Sequence, residues 1–75
     1  MEIKFSRHAK RRAKLYAISE TTIASILANM TLHQGEREII KHVTGFKYPL
    51  KIAVSVEKGL VTVITNYPLK KGRKK

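Results

Sequence analysis

The chain has no cysteine and no aspartate. Without cysteine there is no disulfide staple, no zinc-thiolate site and no thiol nucleophile; the absence also suits a reducing compartment. Its 5 acidic residues are all glutamate, and only Glu36 and Glu38 lie close in sequence. A two-metal nuclease needs several carboxylates converging on its ions, so metal-dependent cleavage has no ligand set here, and no cofactor or metal is expected. No glycine-rich phosphate loop and no nucleophilic triad can be assembled from the residue pattern. No apolar run is long enough to span a bilayer. The opening Met1-Glu2-Ile3-Lys4 lacks the charged-then-apolar plan of a secretion signal, and a cytoplasmic protein with no membrane partner is expected. At 75 residues the chain has room for one domain with a modest core, of limited stability unless it forms an oligomer.

What is abundant is positive charge. Lysine and arginine total 16, for a net charge of +11. Six of them fall within residues 4–14 and five within 70–75. Such a field draws polyanions and speeds their encounter. Nucleic acid is the commonest cellular polyanion; an anionic membrane and an acidic protein are the other choices. The stretch KFSRHAKRRAKLYAIS (4–19) is the densest part, with seven basic or histidine side chains.

The apolar spacing outlines a single α+β domain over residues 1–68 and a basic tail, LKKGRKK, over 69–75. Ile3 and Phe5 alternate with charges, as in a short strand with one buried face. Ser6 stands where a helix N-cap belongs, ahead of a helix from Arg7 to Tyr16 whose thin apolar side is Ala9, Ala13 and Tyr16. Ser19 caps a second helix, with Glu20 in its first turn and a stripe of Ile23, Ile26, Leu27 and Met30. A strand over Arg37–Val43 follows, its facing left ambiguous by adjacent Ile39 and Ile40. Lys41 and His42 lie on adjacent strand positions, so they point to opposite faces and cannot share a site. Leu50, Ile52, Val54 and Val56 alternate with polar residues and form a hairpin with Leu60–Asn66 across Glu57-Lys58-Gly59. The order is β-α-α-β-β-β, and the simplest solution is an antiparallel sheet with both helices on one face.

These residues carry a likeness. FSRHAKRRAKLYAIS resembles the opening of a family of small proteins of unknown function that begin with a strand, a Ser-x-His-Ala-x-x-Arg motif and an Arg-Gly-Ile-Ser-type helix junction, and close near Val-Thr-x-Tyr. His8, Ala9 and Arg12 match the first motif, Ile18 and Ser19 the junction, and Thr65 and Tyr67 the closing strand. Tyr16 and Ala17 stand where the family usually has Arg-Gly. The family is similar to the RelE/BrnT group of toxins, microbial endoribonucleases neutralised by a partner antitoxin. That resemblance implies a RelE-like fold, RNA as substrate and an acidic antitoxin-like protein as partner. It is a fold-level analogy.

His8 and Arg12, four apart, share a helix face. They read either as a phosphate-facing pair, with the forked guanidinium on phosphate and the imidazole exchanging a proton, or as a turn-fixing histidine beside a solvated arginine. Lys10 and Lys14 repel one another with no glutamate between them, which favours polyanion contact over mere solubility. Tyr67 either stacks on a base or caps the core. One cleavage reaction needs neither metal nor carboxylate: attack of an RNA 2′-hydroxyl on the adjacent phosphate, with cations stabilising phosphoryl charge and a tuned side chain moving protons. The residue inventory permits that reaction without demonstrating it; the function the resemblance implies is a metal-independent, toxin-like endoribonuclease acting on mRNA, with His8, Arg12 and Tyr67 as catalytic candidates. Arg7, Lys10, Arg11, Lys14, Lys51, Lys70, Lys71 and Arg73 are the candidates for holding RNA. A non-catalytic nucleic-acid-binding module and a basic partner of an acidic protein are the alternatives.

Overall fold

The computed structural model describes residues 2–69; within them the order is β1 (Glu2–Phe5), α1 (Arg7–Leu15), α2 (Glu20–Ala28), β2 (Gly35–Lys41), β3 (Leu50–Glu57) and β4 (Leu60–Pro68). The domain is α+β, with two helices and a four-stranded mixed sheet in the order β1-β4-β3-β2. β2, β3 and β4 form an antiparallel meander, whereas β1 pairs in parallel with β4. The wholly antiparallel sheet expected from the sequence is thus corrected. The helix pair carries the chain across to the far edge, where β2 begins, and two reversals then bring β4 back beside β1. Periodicity reports which face a residue occupies; it does not report which strand lies next to which.

Leu50, Ile52, Val54 and Val56 of β3 line one face with Val61 and Val63 of β4, and side chains of both helices join them in a single buried cluster. α2 contributes Ile23 and Leu27, both fully buried, at roughly 1.5–3 kcal/mol each. α1 contributes Ala9 and Ala13, one methyl apiece, worth roughly 0.8 kcal/mol each. Apolar burial therefore holds α2 more firmly than α1, and α1 makes up the difference with polar anchors. Ser6 donates its backbone N–H to the Val63 carbonyl at 3.0 Å. Its hydroxyl donates to the Ile64 carbonyl at 3.0 Å and accepts from the Ala9 N–H at 3.0 Å. Asn66, fully buried, donates from Nδ2 to the Ala9 carbonyl at 3.3 Å. Ser19 caps α2, accepting from the Thr21 N–H at 3.1 Å.

Three local departures from the sequence reading have clear causes. α2 stops at Ala28, so Met30 lies past its end and is exposed. β2 runs from Gly35 to Lys41, and Ile39 takes the buried face while Ile40 is exposed. In β4, Ile64 is left without a partner where Val54 pairs with Val63 and Ala53 with Thr65. This bulge shifts the alternation by one residue. Asn66 consequently faces the helices, and Tyr67 turns to the uncovered face.

Between the helices, Ala17 adopts φ 57°. The Ile18 N–H bonds to the Ala13 carbonyl at 2.7 Å and the Ala17 N–H to that of Lys14 at 3.3 Å, the paired bonds of a Schellman ending in which the left-handed residue is usually glycine. Alanine there is strained by roughly 1–2 kcal/mol. Ala17→Gly should relieve part of that, and a gain of about 1 kcal/mol would raise the melting temperature by roughly 4–8 °C. Thermal unfolding followed by circular dichroism checks this, and an unchanged or lowered midpoint would count against strain at Ala17.

Candidate nucleic-acid interface

α1 turns about 100° per residue, so Ala9 and Ala13 against the sheet fix the direction of every other side chain. Lys10, Lys14, Arg7 and Arg11 follow one another around the opposite side as a continuous arc, and all four are exposed. Arg12, half-buried, flanks the packed stripe, with exposed His8 beyond it. Arg7–Lys10, Arg7–Arg11, Lys10–Lys14 and Arg11–Lys14 are like-charge neighbours three or four residues apart. Each such pair destabilises a helix by roughly 0.2–0.5 kcal/mol. The first turn has no acid to complement the helix dipole, and Arg7 adds a positive charge there. A helix that assembles against these repulsions is a local conflict of the kind found at binding sites.

The acids lie elsewhere. By register, Glu2, Glu36, Glu38 and Glu57 share the uncovered face of the sheet with Lys4, Ser55, Thr62, Thr65, Lys51 and Tyr67. Glu20 is in the first turn of α2. One ion pair is found among the described residues, between Lys51 Nζ and Glu38 Oε1 at 3.3 Å. Glu38, first through this hydrogen bond and then through its charge, raises the Lys51 pKa above its ordinary 10.5, and neighbouring Tyr67 adds to the effect. Lys51 is thus a protonated lysine already engaged by a carboxylate.

The expected site residues therefore form two groups. Arg7, His8, Lys10, Arg11, Arg12 and Lys14 are together on α1. Lys51 and Tyr67 pair across β3 and β4 on the other face, and the structure does not bring them to His8 and Arg12. The phase shift at Ile64 is the reason for Tyr67. Lys70, Lys71 and Arg73 lie outside the described residues. Lys41 and His42 correct another expectation. β2 ends at Lys41, so strand alternation does not govern His42, and the two residues line one open groove with Thr21, Thr22, Ser25, Ile26, Val43 and Thr44. Asn66 escaped the sequence reading, although a poor strand former inside a β-rich run is the signal that marks it. Its Oδ1 is buried without a hydrogen-bond partner among the described residues.

Among the described residues no three histidine, cysteine or acidic side chains gather closely enough to hold a metal ion, and no helix is long and apolar enough to cross a membrane. No family model, curated protein or solved structure matches the chain.

The Lys51–Glu38 pair sets a pH dependence. Because the folded-state lysine value is raised, its stabilisation is complete below the unfolded lysine value and is lost as pH rises through the higher folded one. Urea unfolding from neutral pH to well above 10.5 should show wild type losing stability more steeply than Lys51→Met. Parallel curves for the two proteins would contradict the coupling.

Proposed function

We propose that this protein binds RNA through the outer arc of α1, as a sequence-independent contact to phosphodiesters. The observation that carries the reading is the set of five cations on one nine-residue helix, Arg7, Lys10, Arg11, Arg12 and Lys14, with no acid among them. Phosphate between neighbouring cations turns their mutual repulsion into attraction, and arginine adds a fork of donors matched to phosphate oxygens. The uncovered sheet face, where glutamates outnumber lysines, is the poorer surface for a polyanion. Affinity for a short single-stranded RNA should fall with salt by a log–log slope of roughly 0.7 per phosphate engaged. Arg11→Gln should weaken binding and reduce that slope by about 0.7, while stability is unchanged or rises by up to about 1 kcal/mol, since two like-charge pairs are removed. Fluorescence anisotropy over a salt series measures it; a slope near zero, or one unmoved by Arg11→Gln, rules the reading out.

The second reading is the toxin-like endoribonuclease that the resemblance to RelE/BrnT proteins implies. What favours it is His8 and Arg12, accessible on one helix beside the cationic arc; the β-α-α-β-β-β order is fold-level support only. In this reading Arg12 stabilises the phosphoryl oxygens while the 2′-oxygen attacks phosphorus and the bond to the 5′-oxygen breaks. His8 accepts the 2′-hydroxyl proton, solvent water protonates the departing 5′-oxygen, and the products carry a cyclic 2′,3′-phosphate and a 5′-hydroxyl. Tyr67, on the other sheet face, has no part in it. Incubation with a defined RNA in chelator-treated buffer should yield those ends, with His8→Ala slower by roughly 100-fold or more and Tyr67→Phe unchanged. RNA left intact by the wild type would leave binding as the whole function. An acidic antitoxin-like protein would cover the same arc and compete with RNA for it.

A further inference from the structure

The groove beside α2 is distinct from the arc on α1. It is an open depression of about 490 Å³ between the first turns of α2 and the segment leaving β2, lined by Thr21, Thr22, Ser25, Lys41, His42 and Thr44 over a base of Ile26 and Val43. That size falls within the range of small-ligand sites. Its chemistry is one-sided: four hydroxyls, an ammonium and an imidazole, with no carboxylate in the lining. Lys41 side-chain N–H groups and hydroxyls are donors suited to phosphate oxygens. Ile26 and Val43, both half-buried, give an apolar surface on which a flat or aliphatic body can rest.

We propose that this groove binds a phosphate monoester carried on a compact, partly apolar body, of the size of a mononucleotide. Lys41 and His42 hold the phosphate, the threonine and serine hydroxyls complete its hydrogen bonds or meet a sugar, and Ile26 with Val43 supports the body. The site does not depend on the reading of α1, since none of its lining residues belongs to that helix.

The test is a set of amide chemical-shift titrations of the full chain with adenosine monophosphate, adenosine and inorganic phosphate, run separately. Adenosine monophosphate should give saturable shifts confined to Thr21–Ser25 and Lys41–Thr44, adenosine none that saturate, and inorganic phosphate weaker binding at the same residues. Lys41→Met should weaken the monophosphate by roughly ten- to a hundredfold, the scale of a charge-assisted hydrogen bond, and Thr22→Val by less. Both positions lie outside the buried cluster, and unchanged thermal unfolding of each variant verifies that the fold is intact. Shifts centred on Arg7–Lys14, equal affinity for phosphate and the monophosphate, or binding unaffected by Lys41→Met would each overturn the proposal.

Discussion

The arrangement of this domain depends on how Ser6 joins β1, α1 and β4. Its backbone N–H extends the sheet bonding to Val63, and its hydroxyl links the Ile64 carbonyl to the Ala9 N–H. One residue thus ends a strand, caps a helix and engages the carbonyl exposed by the bulge. Asn66, brought beneath the helix by the same bulge, makes the second attachment at the Ala9 carbonyl. Alanine at the buried positions lets the helix lie close to the sheet, but it supplies little apolar area. These directional bonds orient α1 so that its cations face outward, and they offset part of the repulsion those cations create.

Charge is partitioned accordingly. The helix carries cations alone, while the uncovered sheet face holds most of the glutamates and neutralises Lys51 through Glu38. The two sides present different chemistry to a partner. On the proposed reading, a phosphodiester chain would be attracted to the helix and would meet carboxylates on the sheet. The groove at Lys41 and His42 adds a third surface, an open depression where four hydroxyl side chains border an apolar base. A net charge of +11 would by itself favour polyanions anywhere on the molecule; the placement of the glutamates gives the attraction a direction.

Much of this was legible in the sequence because the signals were local. Ser6 and Ser19 announced their helices, and Leu50 to Val56 their strand. The hidden features are non-local. The parallel pairing of β1 with β4 follows from the path of the helix crossover, which no periodicity records. The bulge at Ile64 exists because Val54 and Ala53 pair with Val63 and Thr65; read alone, the strand places Tyr67 on the same face as Val63. The bulge takes Tyr67 off the helix side, and Lys51 stands on the face opposite Leu50 by plain alternation, so only the candidates on α1 stayed together. Lys41 and His42 were separated on paper by a strand that in fact ends between them.

On the proposed reading, RNA engages α1 and leaves the uncovered sheet face free. Amide shift mapping with a short single-stranded RNA tests it most directly. Shifts should concentrate at Arg7, Lys10, Arg11 and Lys14, with Glu36, Glu38 and Lys51 undisturbed. Shifts centred on Lys51 and Tyr67, with α1 silent, would contradict it.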